Sequence, residues 1–350
     1  MVTLSDEIQN MKRNSHSLYN QVKNTDAFTP GKPFLKWAGG KGQLLEKFNE
    51  FYPEELKAGT IQHYYEPFVG GGAVFFDLAG RYNFRSATLC DISEELILTY
   101  RVVQQDVSRL LENLDLFQKK YRALDEKQQH DFFYEVRSRF NTDKPGFNFS
   151  RYAENWIERA AQIIFLNRTC FNGLFRFNSG GEFNVPPGKY KNPQIVNAEV
   201  LLKASQLLQI AEIRNAGFET IEHGIKPHSF VYFDPPYRPI SKTSGFTSYS
   251  KEKFTDAEQT RLAALFHRLD KRGAKLMLSN SDPKNTNPED NFFDQLYNNY
   301  QIFRIPAKRM INSNAAKRHA INEIVVTNYN IGKEVGESGI SLHKKTIGQN

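Results

Sequence analysis

Tyr64-Tyr65-Glu66-Pro67-Phe68-Val69-Gly70-Gly71-Gly72-Ala73, followed nineteen residues beyond Gly72 by Asp91, is the stretch on which the architecture turns. The apolar run around Tyr64 and Tyr65 reads as a strand, Ala73 to Leu78 as a helix, and Ala87-Thr88-Leu89-Cys90 as a second short strand ending at Asp91. Three glycines between a strand and a helix keep side chains clear of an approaching ligand and leave helix N-terminal amides facing outward. An acid closing the second strand at this distance is placed to accept hydrogen bonds from ribose hydroxyls. The pair alone fits nucleotide-binding folds of many kinds, and a plain glycine turn with a surface acid equally well. It predicts an α/β fold.

Outward from this unit, Ser93 is placed to cap a helix in which Leu96, Tyr100, Val103, Val107, Leu110, Leu111 and Leu114 recur at helical spacing, with room for a break. Helical patterns then dominate from about Asp106 to Ile164, including Phe132-Phe133-Tyr134-Glu135-Val136 and Trp156-Ile157-Glu158-Arg159-Ala160-Ala161. This predicts a helical insertion between two halves of a sheet, its aromatics serving as core. Strand patterns resume at Phe230 to Phe233, at Lys275-Leu276-Met277-Leu278 and at Glu323-Ile324-Val325-Val326-Thr327. Thr255-Asp256-Ala257-Glu258 resembles a capping box, and Gly273 would end the helix it opens. Residues 1–31 read as a polar N-terminal extension and 331–350 as a polar tail.

Bulk properties narrow the partners. A chain of 350 residues suffices for one large fold carrying an insertion. A formal net charge of +7 favours an anionic partner. Two stretches concentrate it: Arg159, Arg168, Arg176, Lys189 and Lys191 against Glu182, and Arg304, Lys308, Arg309, Lys317 and Arg318 with no acid between 295 and 322. Interleaved aromatics suggest a phosphate-facing surface, while solvated charged faces are the plainer alternative. Two cysteines, Cys90 and Cys170, imply no disulfide framework and a reducing compartment, so a cytoplasmic location is expected. No apolar run long enough for a signal peptide or membrane helix occurs, and the eight scattered histidines show no metal-ligand spacing.

The chemistry-bearing segment is Asp234-Pro235-Pro236-Tyr237, at the end of the apolar strand Ser229-Phe230-Val231-Tyr232-Phe233. An amine on a flat base is a poor nucleophile, because its lone pair is conjugated into the ring. Acceptors aimed at both of its hydrogens draw the nitrogen toward tetrahedral geometry. The Asp234 carboxylate can take one hydrogen and the Pro235 carbonyl the other, held out by the fixed φ of proline and the extended bias that Pro236 imposes on its neighbour. Tyr237 would stack on the base. The alternative is a strand-terminal turn with a surface tyrosine.

Asp234-Pro235-Pro236-Tyr237 resembles the motif of Dam-type DNA adenine amino-methyltransferases, which use S-adenosylmethionine, and four further segments agree in order. They are Lys36-Trp37-Ala38-Gly39-Gly40-Lys41, Glu66-Pro67-Phe68-Val69-Gly70-Gly71-Gly72, Cys90-Asp91-Ile92-Ser93, and Arg168 to Tyr190, so the likeness runs from about residue 33 to 329. The resemblance implies a class I methyltransferase fold: a Rossmann-like, mostly parallel sheet (32–105 and 196–330) with an inserted helical DNA-recognition domain (106–195) carrying a β-hairpin. It implies that Trp37, Lys41, Glu66, Phe68, Gly70, Gly72, Asp91, Ile92 and Asp234 serve the cofactor, Trp37 as a flat face and Lys41 as a cation for the methionine carboxylate. An ATP-type phosphate loop at Gly39-Gly40-Lys41 fails, because Leu35 stands where a glycine and Gly42 where Ser or Thr is needed.

Phe175-Arg176-Phe177-Asn178 and Glu182-Phe183-Asn184-Val185 alternate in type around Ser179-Gly180-Gly181, which predicts a hairpin with a glycine turn able to enter a major groove. The resemblance implies target recognition in GATC by this segment: Arg176 reading guanine, Leu174 and Pro186 making apolar contacts, and Phe171 with Asn172 bracing the gap left by a flipped adenine. Phe171 departs from the tyrosine of the enteric branch, keeping an aromatic wedge. Arg168, Asn178 and Lys189 are further expected DNA contacts, as are Asn312, Lys317 and Arg318, whose loop, like Ser241 to Lys253, would close over the substrate. The partners implied are double-stranded DNA and, unless the enzyme is a solitary Dam-like one, a cognate restriction endonuclease acting on the same site without a stable complex, with no membrane and no metal. Two rivals stand: a methyltransferase acting on RNA or a protein amide, and a noncatalytic DNA-binding module with a vestigial cofactor fold.

Overall fold

The computed structural model describes residues 30–238, 254–307 and 321–331. Seven strands form one sheet: β1 (His63–Glu66), β2 (Ser86–Asp91), β3 (Ala211–Asn215), β4 (Ser229–Phe233), β5 (Lys275–Ser281), β6 (Gln301–Ala307) and β7 (Ile321–Thr327), in the order β3-β2-β1-β4-β5-β7-β6. β1 to β5 run parallel. β7 is antiparallel to both β5 and β6. This is the mostly parallel sheet expected, and it is consistent with a class I methyltransferase fold. The chain steps outward from β1 through β2 to β3, then crosses back to lay β4 against the other side of β1. Loops leaving the carboxyl ends of β1 and β4 therefore diverge, and a crevice opens between them.

The middle strands are buried on both faces, which is why they read as unbroken apolar runs. All five residues of β4 are buried; Phe230 and Tyr232 face one apolar cluster, Val231 and Phe233 the other. Among the described residues the α-helices of seven residues or more are α1 (Ala73–Ala79), α2 (Glu94–Gln105), α3 (Val107–Ala123), α4 (Glu126–Thr142), α5 (Asn155–Thr169), α6 (Ala198–Leu208) and α7 (Asp256–Lys271). The Ser93 hydroxyl caps α2, the expected break falls at Asp106, and Leu96, Tyr100, Val103, Val107, Leu110, Leu111 and Leu114 are all buried. Asp125 and Gln128 form a reciprocal capping box on α4, Thr255 caps α7, and Gly273 at φ 77° follows that helix.

α3, α4 and α5 with the segment after them intervene between β2 and β3, where an insertion was expected. α5 packs on α2, α3 and α4 and is apolar nearly all round, as a central helix must be. The aromatics Phe132, Phe133, Phe165 and Trp156 belong to the same cluster as Phe230 and Tyr232 of the sheet. The insertion is thus continuous with the core of the sheet.

Charge along the insertion behaves differently from its linear pattern. Arg159, counted among the surface cations, is 2% exposed, lies 3.5 Å from the Phe140 ring and faces buried Glu95, which also takes Lys144 at 2.6 Å. It is an internal strut, because α5 has no solvent face at that position. Among the described residues no helix is long and apolar enough to cross a membrane.

Candidate active site and DNA interface

The glycine turn after β1 is built by close approach. Gly70 and Gly72 have φ of 47° and 69°, conformations that L side chains rarely adopt. A Cβ on Gly70 would stand 2.9 Å from Cδ1 of Trp37, and one on Gly72 2.4 Å from the Tyr100 hydroxyl oxygen. The Tyr100 hydroxyl donates to the Gly70 carbonyl at 3.0 Å, which fixes the turn from α2. Asp91, closing β2, accepts from the Gly70 amide at 3.1 Å through Oδ2 and from the Ser93 amide at 3.0 Å through Oδ1. Burial pushes its carboxyl above the usual range, and these backbone amides pull the other way.

Around that turn the other expected cofactor residues differ in exposure. Glu66, the last residue of β1, is 2% exposed and accepts from the Tyr64 hydroxyl at 2.7 Å. Burial raises it well above the ordinary carboxylate range, Tyr64 opposes this, and Asp234 and Asp91 add to it. Ile92 leaves 60% of its surface open directly after Asp91, an uncovered apolar side chain at a strand end. Phe68 stacks on Phe218 with ring centres 5.4 Å apart.

Asp234 follows β4 directly, on the other side of the crevice from the turn after β1. Its Oδ1 takes the Lys41 ammonium at 2.7 Å and the Ser279 hydroxyl at 3.4 Å. Lys41, only 4% exposed, also donates to the Gly39 carbonyl at 3.2 Å and to the Tyr237 hydroxyl at 2.6 Å. A second carboxylate, Glu323 of β7, stands 4.0 Å from the same ammonium. Burial raises both carboxyls and Lys41 opposes it, while the Asp234 charge further raises Glu323. Glu66 and Glu323 each feel the charge of Asp234, and the buried Lys41 ammonium lies between Asp234 and Glu323.

The backbone beyond Asp234 is pinned at two points. The Pro236 carbonyl accepts from the buried Gln259 amide at 3.2 Å. The Arg238 guanidinium donates to both carboxylate oxygens of Asp256, at 2.7 and 2.9 Å, and to Asp290 at 2.6 Å. Pro235 is buried and Tyr237 leaves 36% of its surface exposed between these anchors.

The recognition segment emerges from the C-terminus of α5. Phe177 and Phe183 form an isolated antiparallel bridge, Gly181 donates to the Asn178 carbonyl at 2.9 Å, and Asn184 donates to the Arg176 carbonyl at 3.2 Å. The predicted hairpin is therefore present as a turn with little ladder. Its alternation holds: Phe175, Phe183 and Val185 are buried, whereas Leu174, Arg176, Asn184 and Pro186 lie on the more open side. The Arg176 Nε donates to Asn184 Oδ1 at 3.1 Å, which orients the guanidinium. Asn178 bonds the Glu182 side chain and amide, and so serves the turn. Phe171 is 49% exposed, Asn172 sits at φ 55° beside it, and Lys189 is exposed.

Several of the expected residues are engaged within the fold. The Arg168 guanidinium donates to the Phe34 carbonyl at 2.7 Å. Arg304 is consumed by Asp282 and Asp294, at 3.0 and 2.7 Å. With Arg159 inside the insertion, both basic stretches present fewer free cations than their sequence suggests. Lys41, expected beside the cofactor, is bonded here to Asp234. Asn312, Lys317, Arg318 and Ser241 to Lys253 lie outside the described residues.

Residues that the sequence did not single out complete the site. Glu323 sits in a run that reads simply as a strand, Ser279 is an unremarked strand serine, and Asn167 reads as one polar residue in an apolar helix. Only the last carried a signal, since a buried amide in such a helix must find partners. No group of three or more His, Cys, Asp or Glu able to hold a metal ion occurs among the described residues.

Comparison with known proteins places this geometry. Residues 37–311 match the model of the D12 class of N6 adenine-specific DNA methyltransferases. The chain is 48% identical over 299 residues to the Type II methyltransferase M.MjaIII of Methanocaldococcus jannaschii, covering 85% of this chain and 99% of that one. It is 38% identical over 300 residues to the Type II methyltransferase M1.LlaDCHI of Lactococcus lactis, covering 85% and 95%. It is 32% identical over 295 residues to the DNA adenine methylase of Haemophilus influenzae, covering 84% and 92%.

Proposed function

Because the chain belongs to the D12 class of N6 adenine-specific DNA methyltransferases, we propose that it takes its methyl group from S-adenosylmethionine and delivers it to an adenine rotated out of duplex DNA at GATC. That it is an enzyme methylating adenine in DNA follows from the family; cofactor, target and residue roles are the reading argued next. The supporting observation is the placement of Asp234. It ends a fully buried strand at the switch point of the sheet, held by Lys41 and Ser279, with the half-open Tyr237 face three residues on.

S-adenosylmethionine supplies an electrophilic methyl group on a sulfonium, and the residues present suit a cation of that kind. Asp234 and Glu323 share one buried ammonium while burial opposes their ionisation, so a further cation in the crevice would favour their charged forms. Asp91 retains lone pairs for ribose hydroxyls after accepting two amides, and the Trp37 ring beside Gly70 and the uncovered Ile92 offer flat apolar contacts. Glu66 and Phe68 support the turn, and Gly70 and Gly72 leave it open. Lys41 acts here chiefly on Asp234, keeping it ionised and aimed.

On the adenine side, the Asp234 carboxylate and the Pro235 carbonyl would accept the two amine hydrogens, which localises the lone pair on nitrogen for methylation. After transfer the nitrogen carries an extra proton, which Asp234 is placed to receive. Pro236 keeps the backbone extended, and Tyr237 stacks on the base. Preorganised groups of this kind lower the barrier because they need not reorganise during the reaction. Rotating the base out of the duplex costs a few kcal/mol, offset by stacking and pocket contacts. Arg176 oriented by Asn184, with Leu174 and Pro186, reads the target, while Phe171 and Asn172 brace the gap. Asn178, Lys189, Asn312, Lys317 and Arg318 contribute phosphate or turn contacts, and the catalytic body (32–105 with 196–330) carries the recognition insertion (106–195).

Methyl-labelled S-adenosylmethionine incubated with the chain and duplex DNA, RNA or protein tests the reading. Label in N6-methyladenine at GATC of duplex DNA is expected. Methyladenine at another sequence removes the GATC assignment, and label entering RNA or protein instead removes the substrate. The names of the two Type II relatives suggest a restriction partner acting on the same site, and a solitary role is the alternative; mapping modified sites in expressing cells, with and without a neighbouring nuclease gene, separates these.

A further inference from the structure

The cofactor segment and the recognition segment are far apart in sequence, yet one buried amide holds both. Asn167, in the last turn of α5, accepts from the Lys36 amide at 2.8 Å through Oδ1. Its Nδ2 donates to the Lys36 carbonyl at 2.8 Å and to the Gly173 carbonyl at 2.9 Å. Both backbone polar groups of Lys36 are therefore spent on one side chain, immediately before Trp37. The third bond reaches between Asn172 and Leu174, two of the residues read as DNA contacts.

Neighbouring contacts tighten the same seam. Arg168 donates to the Phe34 carbonyl at 2.7 Å. A Cβ on Gly173 would stand 2.4 Å from Cδ of Lys36, so the two segments are in contact where only glycine fits. The Lys36 ammonium lies 4.7 Å from the Tyr190 ring centre, and the Trp37 ring lies 6.0 Å from that of Phe175. Both legs of the recognition segment anchor at the same place: Gly188 donates to the Thr169 carbonyl at 2.8 Å, and Phe171 donates to the Pro186 carbonyl at 2.9 Å.

We infer that Asn167, seconded by Arg168, is a positioning residue that locks the cofactor-side segment Phe34 to Trp37 to the DNA-reading segment Phe171 to Pro186, so that seating of DNA sets the position of the Trp37 face. Asn167 touches neither substrate. It acts through Lys36 on one side and Gly173 on the other, and a shift at either end must be shared or three backbone groups, the Gly173 carbonyl buried among them, lose their partner. This inference rests on the functional reading above. Its consequence is thermodynamic linkage: duplex binding tightens cofactor binding and the reverse, by the same factor.

The test titrates S-adenosylhomocysteine calorimetrically into the full chain, alone and with a duplex carrying the methylated site. In the unmodified chain the duplex is expected to tighten binding by about 5-fold or more, the lower end of usual coupling factors. In Asn167→Ala that ratio should fall below about 2-fold, and in Arg168→Met, which leaves the three Asn167 bonds intact, to a value between the two. A lowered melting temperature with an unchanged ratio in Asn167→Ala would show a merely structural amide and overturn the inference. Should that variant fail to fold, Arg168→Met decides, an unchanged ratio there again overturning it. A ratio of one in the unmodified chain sinks the coupling alone, whereas no binding of S-adenosylhomocysteine under any condition sinks the functional reading beneath it.

Discussion

The carboxyl end of β4 and the segment that follows α5 both carry residues assigned to the reaction, but they are built by opposite means. Asp234 leaves a strand in which every residue is buried, and Lys41, Ser279, Gln259 and Arg238 hold it and the next four residues through side-chain bonds. The DNA-facing segment rests on two isolated bridges, a few turn bonds, anchors from Asn167 and Asn141 at its base, and an inward row of Phe175, Phe183 and Val185. Chemistry that requires sub-ångström placement sits on the rigid part. Sequence reading in a groove tolerates adjustment, and the less braced segment provides it.

The contrast breaks first at Asp234. Asp234→Ala is expected to lower single-turnover methylation by about 100-fold or more, as deletion of a preorganised polar partner does. Near-normal turnover would mean that the rigid end of β4 is scaffold only. Ionised Asp234 is the working form, and burial raises its carboxyl, so the acid limb of the rate profile should lie above the ordinary aspartate value of about 3.9. A limb at or below that value would mean that Lys41 outweighs burial.

At Tyr237, Ala should cost more than Phe, by roughly 1–3 kcal/mol if stacking is the role. The hydroxyl accepts from Lys41 at 2.6 Å, so Phe should itself be measurably impaired. Equal losses in the two variants would shift the role from the ring to that bond.

What could be read from the sequence follows the same division. β1, β2 and β4 were legible with their motif residues because a doubly covered strand is an apolar run and its functional residue stands at its end. β3 and β6 were not. Ala211–Asn215 is an edge strand with Glu212 and Arg214 outward, and Gln301–Ala307, the other edge, contains Pro306, which breaks a strand pattern. Charge misled for a related reason: Arg159, Arg168 and Arg304 look like surface cations in linear order, and only the packing of α5 and β6 turns them inward. Asn167 and Glu323 act across separations of well over a hundred residues, which no local pattern reports.

On the compliant side, Arg176→Ala should relax discrimination at one base pair by roughly 1–3 kcal/mol while leaving methylation of the preferred site largely intact. Asn184→Ala should reproduce part of this, because Asn184 holds the guanidinium at 3.1 Å without being assigned a base. Competition between duplexes differing at single positions measures both. An unchanged preference in Arg176→Ala would remove the segment from readout and leave it as a cover for the insertion.

The smallest effect sharpens the rigid side by separating stability from chemistry. Glu66 is buried at the end of β1 with its carboxyl raised well above the usual range, chiefly by desolvation. A raised folded value means that the folded chain binds more protons than the unfolded one at any pH above the unfolded glutamate value of about 4.3, up to the folded value. Its contribution to stability is full below that lower limit and is lost as pH rises through the folded value, with a slope of at most about 1.4 kcal/mol per pH unit. Glu66→Gln keeps the acceptor for Tyr64 and removes the titration, so urea midpoints of the variant should decline less with rising pH than those of the parent. Identical slopes would mean that Glu66 is ionised in the fold despite its burial.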